Sequence, residues 1–189
     1  MNKHMLALSL FCGTLFASAS ALAITQTFNG AGTPVAIPDA GNVNTTASAA
    51  GPGSPTNITD VNLNVTITHT WAEDVDITLA SSNPVVAATP IIQDCGTNGD
   101  WTGTNVTFDD QGATPVTCAT ATNIAGNGPS PLGATVMAAF NGSATAGALS
   151  WTLNVADDDA ICTGTLNSWS VTVTADEPLP AELTKFSID

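Results

Sequence analysis

The chain has 189 residues, and its 2 lysine and arginine residues against 16 aspartates and glutamates leave a formal net charge of −14. A surface this acidic repels nucleic acid and anionic membranes, because it has almost no basic side chains to replace the counterions of the phosphates. Such a charge is typical of a highly soluble protein or of one that binds divalent cations. Ordinary solvated surface charge is the simpler interpretation.

The first 23 residues have the composition of a signal peptide. Lys3 supplies the positive start, an apolar run covers residues 5–16, and Ala21-Leu22-Ala23 has the small-x-small pattern of a cleavage site. The apolar run is too short to predict a retained membrane span, and we expect no membrane anchor. We therefore predict cleavage after Ala23 and a secreted, extracellular chain, which keeps Lys185 as its one basic side chain.

The cysteines that follow the predicted cleavage site are Cys95, Cys118 and Cys162. Export permits them to form disulfides. Cys95 and Cys118 flank one loop-rich segment, and we predict that these two pair. Cys162 is then left over as a free, buried or intermolecular thiol.

In chain order, the mature sequence divides into three parts. Residues 24–57 contain a leading strand around Phe28 and then a glycine-, proline- and serine-rich loop, since the stretch from Asn42 to Thr56 is small, polar and broken by turn residues. Residues 58–175 form the predicted core domain. Residues 176–189 form a C-terminal tail.

The stretch from Ile58 to Leu79 organises the core domain. Its apolar residues recur at every second position, which is the period of a strand with one buried and one wet face. The same parity places His69 and Trp71 on the buried face. A short acidic break at Glu73-Asp74 follows, and the alternation resumes at Val75. The apolar residues of the first run are Val61, Leu63, Val65 and Ile67.

Further short strands are predicted along the rest of the core domain. Apolar and polar residues alternate around Val106, Trp151 and Trp169, whereas residues 81–90 interrupt a strand and residues 111–135 form a loop. Short strands with turn residues between them, and almost no helical periodicity, indicate an all-β fold. We predict a jelly-roll-like antiparallel β-sandwich.

Several motifs follow one another along the core domain. They are Ala36-Ile37-Pro38-Asp39, Ile58-Thr59-Asp60-Val61, Ile67-Thr68-His69-Thr70-Trp71, Glu73-Asp74-Val75, Phe108-Asp109-Asp110, Phe140-Asn141-Gly142, Trp151-Thr152-Leu153 and Gly164-Thr165-Leu166-Asn167-Ser168-Trp169-Ser170-Val171. In this order they resemble the P domain, also called the Homo B domain, of kexin- and furin-like proprotein convertases and bacterial secreted subtilisin-like proteases. The resemblance runs from about Val35 to Thr174. The chain departs from the family in two turns. The acidic turn is followed by Val75 and then Asp76, and the family's Ser-Pro-x-Gly-Thr turn is present only as Ser81-Ser82-Asn83-Pro84, without its Gly-Thr.

The resemblance implies a domain that sits behind a subtilisin-like catalytic domain, stabilises it and modulates its response to calcium and pH. In this sequence we expect only the predicted signal peptide and a linker before the matching region. We therefore expect a free-standing, non-catalytic binding or stabilising module, with a secreted subtilisin-like protease or a second copy of itself as the partner. The alternative is an extracellular surface or matrix protein that self-assembles through its edge strands.

Catalysis as a serine-type endopeptidase is the least favoured function. A Ser-His-Asp triad needs a histidine as general base. The one histidine after the predicted cleavage site is His69, which strand parity places in the interior, away from a substrate. No Gly-x-Ser-x-Gly elbow occurs in the sequence. We predict no catalytic residues and no enzyme.

Calcium is the cofactor that the acidic residues predict, because it takes its ligands from carboxylates, carbonyl oxygens and water in flexible loops. Turns at one end of a sandwich can bring separate acidic runs together, although acidic loop tips are also ordinary solvated turns. The candidate ligands form three clusters, namely Glu73, Asp74 and Asp76, then Asp109 and Asp110, and then Asp157, Asp158 and Asp159.

The tryptophans are candidates for a carbohydrate-binding platform. Strand parity places Trp71, Trp151 and Trp169 inward, so we expect these three to pack in the core. Trp101 lies in a predicted loop and is the exception.

Overall fold

The computed structural model describes residues 23–49, 56–97, 99–118, 123–145 and 147–176. The predicted tail beyond residue 176, and all of the predicted signal peptide up to residue 22, lie outside these residues. Within them, the regular elements are eleven strands and two short 3-10 helices. No helix in this part of the chain is long and apolar enough to cross a membrane.

The strands are numbered in chain order. Their bounds are Ala23–Asn29 (β1), Val35–Ile37 (β2), Asn42–Ala49 (β3), Thr56–His69 (β4), Val75–Ser82 (β5), Val85–Ile92 (β6), Trp101–Phe108 (β7), Gly126–Gly128 (β8), Gly142–Ala144 (β9), Leu149–Asp157 (β10) and Gly164–Asp176 (β11). The first 3-10 helix spans Ala72–Asp74 and the second spans Met137–Phe140.

The strands form two sheets. The larger sheet has seven strands in the order β1-β11-β4-β7-β8, with β2 pairing along β11 and β9 along β4. The smaller sheet has four strands in the order β3-β10-β5-β6. Every one of these pairings is antiparallel except that of β7 with β8. The predicted all-β, jelly-roll-like antiparallel sandwich is confirmed.

The core takes its side chains from alternating positions of the long strands. The predicted alternation of β4 is confirmed, since its apolar residues are buried and most of the residues between them are partly or fully exposed. Strands β5, β10 and β11 repeat the pattern. The ring of Trp151 lies 6.4 Å from that of Phe28 and 5.7 Å from that of Phe140. Burial of this apolar area, worth roughly 25 cal/mol per Å², is the main force that holds the sheets together.

The predicted loop from Asn42 to Thr56 is wrong over its first half. Asn42–Ala49 forms β3, which pairs with β10 at the edge of the smaller sheet. Its inward positions Thr45 and Ala47 are buried. Small side chains fill this edge of the core, and their alternation with asparagine and serine gives little hydrophobic signal. Residues 50–55 lie outside the described part of the chain.

The predicted interruption between residues 81 and 90 is shorter than expected. β5 continues to Ser82 and β6 begins at Val85, so the break is a turn of two residues. Pro90 lies within β6, which is an edge strand of the smaller sheet. An edge strand tolerates proline, because an N–H on its outer side has no partner strand.

Cys95 and Cys118 form a disulfide, as predicted, across a sequence separation of 23 residues. Cys95 is fully buried. The bridge therefore ties the loop that follows β7 to the core. Cys162 is free and half-buried.

Candidate binding surface at the acidic end

One end of the sandwich gathers the loops that follow β4 and β10. The Asp158 N–H donates to the Asp74 carbonyl oxygen over 3.1 Å, and the Asp157 N–H donates to the Gly41 carbonyl oxygen over 2.8 Å. These bonds join the β4–β5 and β10–β11 loops to each other and to the β2–β3 loop. We call this region the acidic end. Its first depression, of about 480 Å³, is lined by Trp71, Glu73, Asp74, Asp94, Asp158 and Asp159.

His69 is sealed beneath the acidic end. It is 1% exposed, its Nε2 lies 3.2 Å from Asp157 Oδ2, and its Nδ1 lies 2.7 Å from the Trp71 carbonyl oxygen. Gly164 passes directly against the ring, since a Cβ there would come within 2.2 Å of the imidazole Cδ2. The predicted interior position of His69 is confirmed. The pair joins β4 of the larger sheet to β10 of the smaller one.

The contact between His69 and Asp157 differs from a catalytic triad in the hydrogen-bond partner of the other imidazole nitrogen. In a triad, one imidazole nitrogen bonds an aspartate and the other bonds the hydroxyl of the nucleophilic serine. In His69 the nitrogen that does not face Asp157 is engaged by the main chain of Trp71. Both nitrogens are therefore occupied by the protein, and neither faces a substrate.

Asp74 lies at the base of the acidic end and is 7% exposed. Burial raises the pKa of Asp74, because it disfavours the charged form. A hydrogen bond with the Cys162 thiol opposes this, and the Asp157 and Asp159 carboxylates raise the pKa further. No lysine or arginine occurs among the described residues to offset these charges.

The structure brings two of the three predicted calcium-ligand clusters to one place. The first cluster lies on the first 3-10 helix and the start of β5, and the third lies at the end of β10 and in the following loop. These elements are neighbours because β5 pairs with β10, with Val75 opposite Asp157. The members that line the first depression are Glu73, Asp74, Asp158 and Asp159.

The remaining members of these two clusters are engaged by the protein. The Asp76 carboxylate accepts a hydrogen bond from the Asp94 N–H over 3.2 Å, and burial raises the pKa of Asp76. Asp157 is 2% exposed and faces His69. Among the described residues, no group of three or more histidine, cysteine, aspartate or glutamate side chains is placed to hold a metal ion. Calcium binding at the acidic end stays a prediction.

The second predicted cluster lies at the other end of β7. The Asp110 carboxylate accepts hydrogen bonds from the N–H groups of Met137 and Ala138 over 3.2 and 2.7 Å. It thereby caps the second 3-10 helix, which is a structural role. Asp109 lies near Asp60, whose pKa is raised by burial and then by the Asp109 carboxylate. The structure thus separates Asp109 and Asp110 from the acidic end.

Two predictions about the tryptophans are wrong. Trp101 is fully buried, because β7 begins at this residue and pairs it with His69. Trp71 is half-exposed, because β4 ends at His69 and the chain turns into the first 3-10 helix, where Ala72 and Asp74 are the buried residues. Trp151 and Trp169 are buried as predicted.

An isoleucine beside the acidic end was missed by the sequence patterns. Ile161 is 92% exposed and belongs to a second depression of about 310 Å³. A single isoleucine in the loop after three aspartates carries no periodicity, so only its surroundings reveal it. The lining residues of the second depression are Trp71, Asp74, Asp159, Ala160, Ile161 and Cys162.

No protein-family model matches the chain, and no curated protein matches it. Among solved structures, the chain is similar to the crystal structure of an Aeromonas sobria serine protease in complex with a chaperone, with 16% sequence identity and a TM-score of 0.45. The similarity covers 85% of this chain and 28% of that chain, so this chain spans less than a third of its length. A likeness of this size assigns neither a family nor a function.

Proposed function

We propose that this chain is an exported, non-catalytic binding module of the P-domain type. The observation that carries the proposal is the burial of His69 between Asp157 and the main chain of Trp71. A general base must come within reach of the proton that it abstracts, and this imidazole is closed off from a substrate. The loops of the acidic end carry the exposed carboxylates of Asp158 and Asp159 and the half-exposed Trp71.

The proposed partner is a secreted subtilisin-like serine protease. The support for this partner is the order of motifs from Val35 to Thr174, which resembles a domain that accompanies such proteases. A module that binds only the folded protease stabilises it by mass action. We therefore expect the module to lengthen the working life of the protease.

Mixing the mature chain with a subtilisin-like protease secreted by the same organism tests this proposal. We expect the two to co-elute on size exclusion, and the protease to have a longer half-life at raised temperature. Separate elution with an unchanged half-life would refute the partnership. Labelled casein incubated with the chain alone should stay intact, and cleavage activity that co-purifies with the chain would refute the non-catalytic part.

We also propose calcium binding at the acidic end. The supporting observation is that Glu73, Asp74, Asp158 and Asp159 come from two loops to one depression. Small movements of these loops would let carboxylates from both sides share one ion. Millimolar calcium should then raise Tm, and a chelator should reverse the rise. The double variant Asp158→Asn/Asp159→Asn should lose this effect and Asp109→Asn should keep it, whereas an unchanged Tm in the wild type would rule calcium out.

A further inference from the structure

The two depressions of the acidic end differ in the chemistry of their lining but have three lining residues in common. The first is lined mainly by carboxylates, whereas the second adds the apolar groups of Ala160, Ile161 and Cys162. Trp71, Asp74 and Asp159 line both. A ligand that fills both depressions must therefore carry an apolar group next to one that complements carboxylates.

The main chain holds Ile161 in its exposed position. Its φ is 86°, in a region that β-branched residues rarely enter. The Ile161 N–H donates to Asp39 Oδ1 over 2.8 Å, and the Ala160 N–H donates to Asp159 Oδ1 over 2.7 Å. The fold thus presents a large aliphatic side chain to solvent, although the backbone conformation is unfavourable. Unfavourable backbone conformations of this kind cluster at binding and catalytic sites.

The charge around Ile161 restricts what can bind there. The neighbouring side chains are carboxylates, and no lysine or arginine lies among the described residues to neutralise them. Such a surface repels anionic partners and attracts cationic ones over long range. Trp71 is half-exposed and lines both depressions, and a lysine or arginine that lies over an indole ring gains further attraction.

We infer that the acidic end docks an extended segment of a partner protein in which an apolar side chain stands two positions from a lysine or arginine. The apolar side chain contacts Ile161 and Cys162 in the second depression. The cation lies near Asp158 and Asp159 in the first depression, with Trp71 between the two groups. Alternate side chains of an extended segment lie about 7 Å apart on one face, so neighbouring depressions can receive them. The inference rests on the proposed function and names the chemistry of the partner segment.

A random dodecapeptide library displayed on phage, selected against the immobilised mature chain, tests this inference. Selection should enrich peptides in which lysine or arginine stands two positions from a large apolar residue. Anisotropy of a fluorescein-labelled enriched peptide should show binding to Ile161→Asn weakened about tenfold. Raising NaCl to about 0.5 M should weaken binding to the wild type, and Asp159→Asn should both weaken binding and flatten this salt dependence.

Val85→Asn is the matched control. Val85 is 88% exposed and lies at the other end of the sandwich, since it pairs with Ser82 at the far end of β5. Its replacement should leave peptide binding unchanged, and both variants should keep the wild-type Tm. Asparagine tolerates a positive φ better than isoleucine does, so Ile161→Asn is expected to fold.

The outcomes separate this inference from the proposed function. Enriched peptides that bind Ile161→Asn as tightly as the wild type would overturn the inference and leave a binding module that uses another surface. Selection that yields acidic or uncharged peptides, or no peptides, would overturn it as well. Co-elution with the protease decides the proposed function independently of either result.

Discussion

His69 and Asp157 form a polar contact between the two sheets. Both are nearly fully buried and their side chains are 3.2 Å apart. In His69→Gln the Asp157 carboxylate loses its ring partner in a dry site, and removing one partner of a buried pair costs about 3–5 kcal/mol. We therefore expect Tm to fall by about 10 °C in a domain of this size. Calorimetry of the purified variant measures this change.

A double variant separates two effects of His69→Gln, namely the loss of the contact itself and the burial of the Asp157 charge without a partner. His69→Leu/Asp157→Leu removes both polar groups and leaves no buried charge without a partner. It should melt above His69→Gln. If His69→Gln melts within about 2 °C of the wild type, which corresponds to roughly 1 kcal/mol or less, the two sheets do not depend on this pair.

Asp74 makes the folded chain bind a proton more readily than the unfolded chain does, because burial raises its pKa. The stability of the wild type should therefore fall as the pH rises from the ordinary aspartate value through the raised one. Asp74→Asn removes this loss. At about pH 7 we therefore expect its Tm, measured by calorimetry, to be higher than that of the wild type. Near pH 3 the two proteins should converge.

Asp158→Asn is the control for this pH series. Asp158 is exposed on the same loop system, so the same chemical change there should alter Tm less. If Asp74→Asn instead melts below the wild type at neutral pH, the hydrogen bond with the Cys162 thiol outweighs the unfavourable burial of the charge.

At the scale of elements, the disulfide fixes the long connection between β7 and the second 3-10 helix. The bridge joins residues 23 positions apart, and closing a loop of that size in the unfolded chain is worth roughly 3 kcal/mol. Cys95→Ala/Cys118→Ala should therefore lower Tm by about 10 °C. Reductant should lower Tm of the wild type similarly and leave the double variant unaffected. Cys162→Ser should respond to reductant as the wild type does, and a wild type that is insensitive to full reduction would contradict the prediction.

The strands that could be predicted are those that bury large apolar side chains at a period of two. In β4, β10 and β11 every inward position is filled by such a residue over most of the strand, so the pattern alone shows the buried face. β3 could not be predicted, because its inward Thr45 and Ala47 differ little from a polar loop. Its pairing with β10, far along the chain, is also a non-local contact that no local pattern reports.

The candidate site could be predicted only in its parts. Glu73-Asp74 and Asp157 to Asp159 stand at strand ends, so their place in loops follows from the sequence. That they share one end of the sandwich depends on the register of β5 against β10, which the sequence does not state. Strand parity predicts an inward Trp71. The residue is half-exposed because the strand ends at His69, so the alternation does not extend to the turn that contains Trp71.

On the scale of the whole molecule, the carboxylates repel one another, because no lysine or arginine side chain of the described residues balances their charge. The basic residues Lys3 and Lys185 lie outside the described part of the chain. Within that part, the one contact between a carboxylate and a basic side chain is the buried contact of Asp157 with His69. The apolar core and the disulfide therefore hold the fold together against net repulsion at its surface.

Added salt should consequently stabilise this protein. Raising NaCl from about 0.01 to about 1 M shortens the screening length from roughly 30 Å to roughly 3 Å, which weakens repulsion between exposed carboxylates. We expect Tm to rise by about 2–6 °C, which corresponds to roughly 1–2 kcal/mol in a domain of this size. KCl should act like NaCl, because the effect depends on ionic strength. Asp158→Asn/Asp159→Asn should show a smaller rise, since it removes two of the charges crowded at the acidic end. A Tm that falls with salt would mean that attractive ion pairs dominate, contrary to the distribution of charge in the described residues.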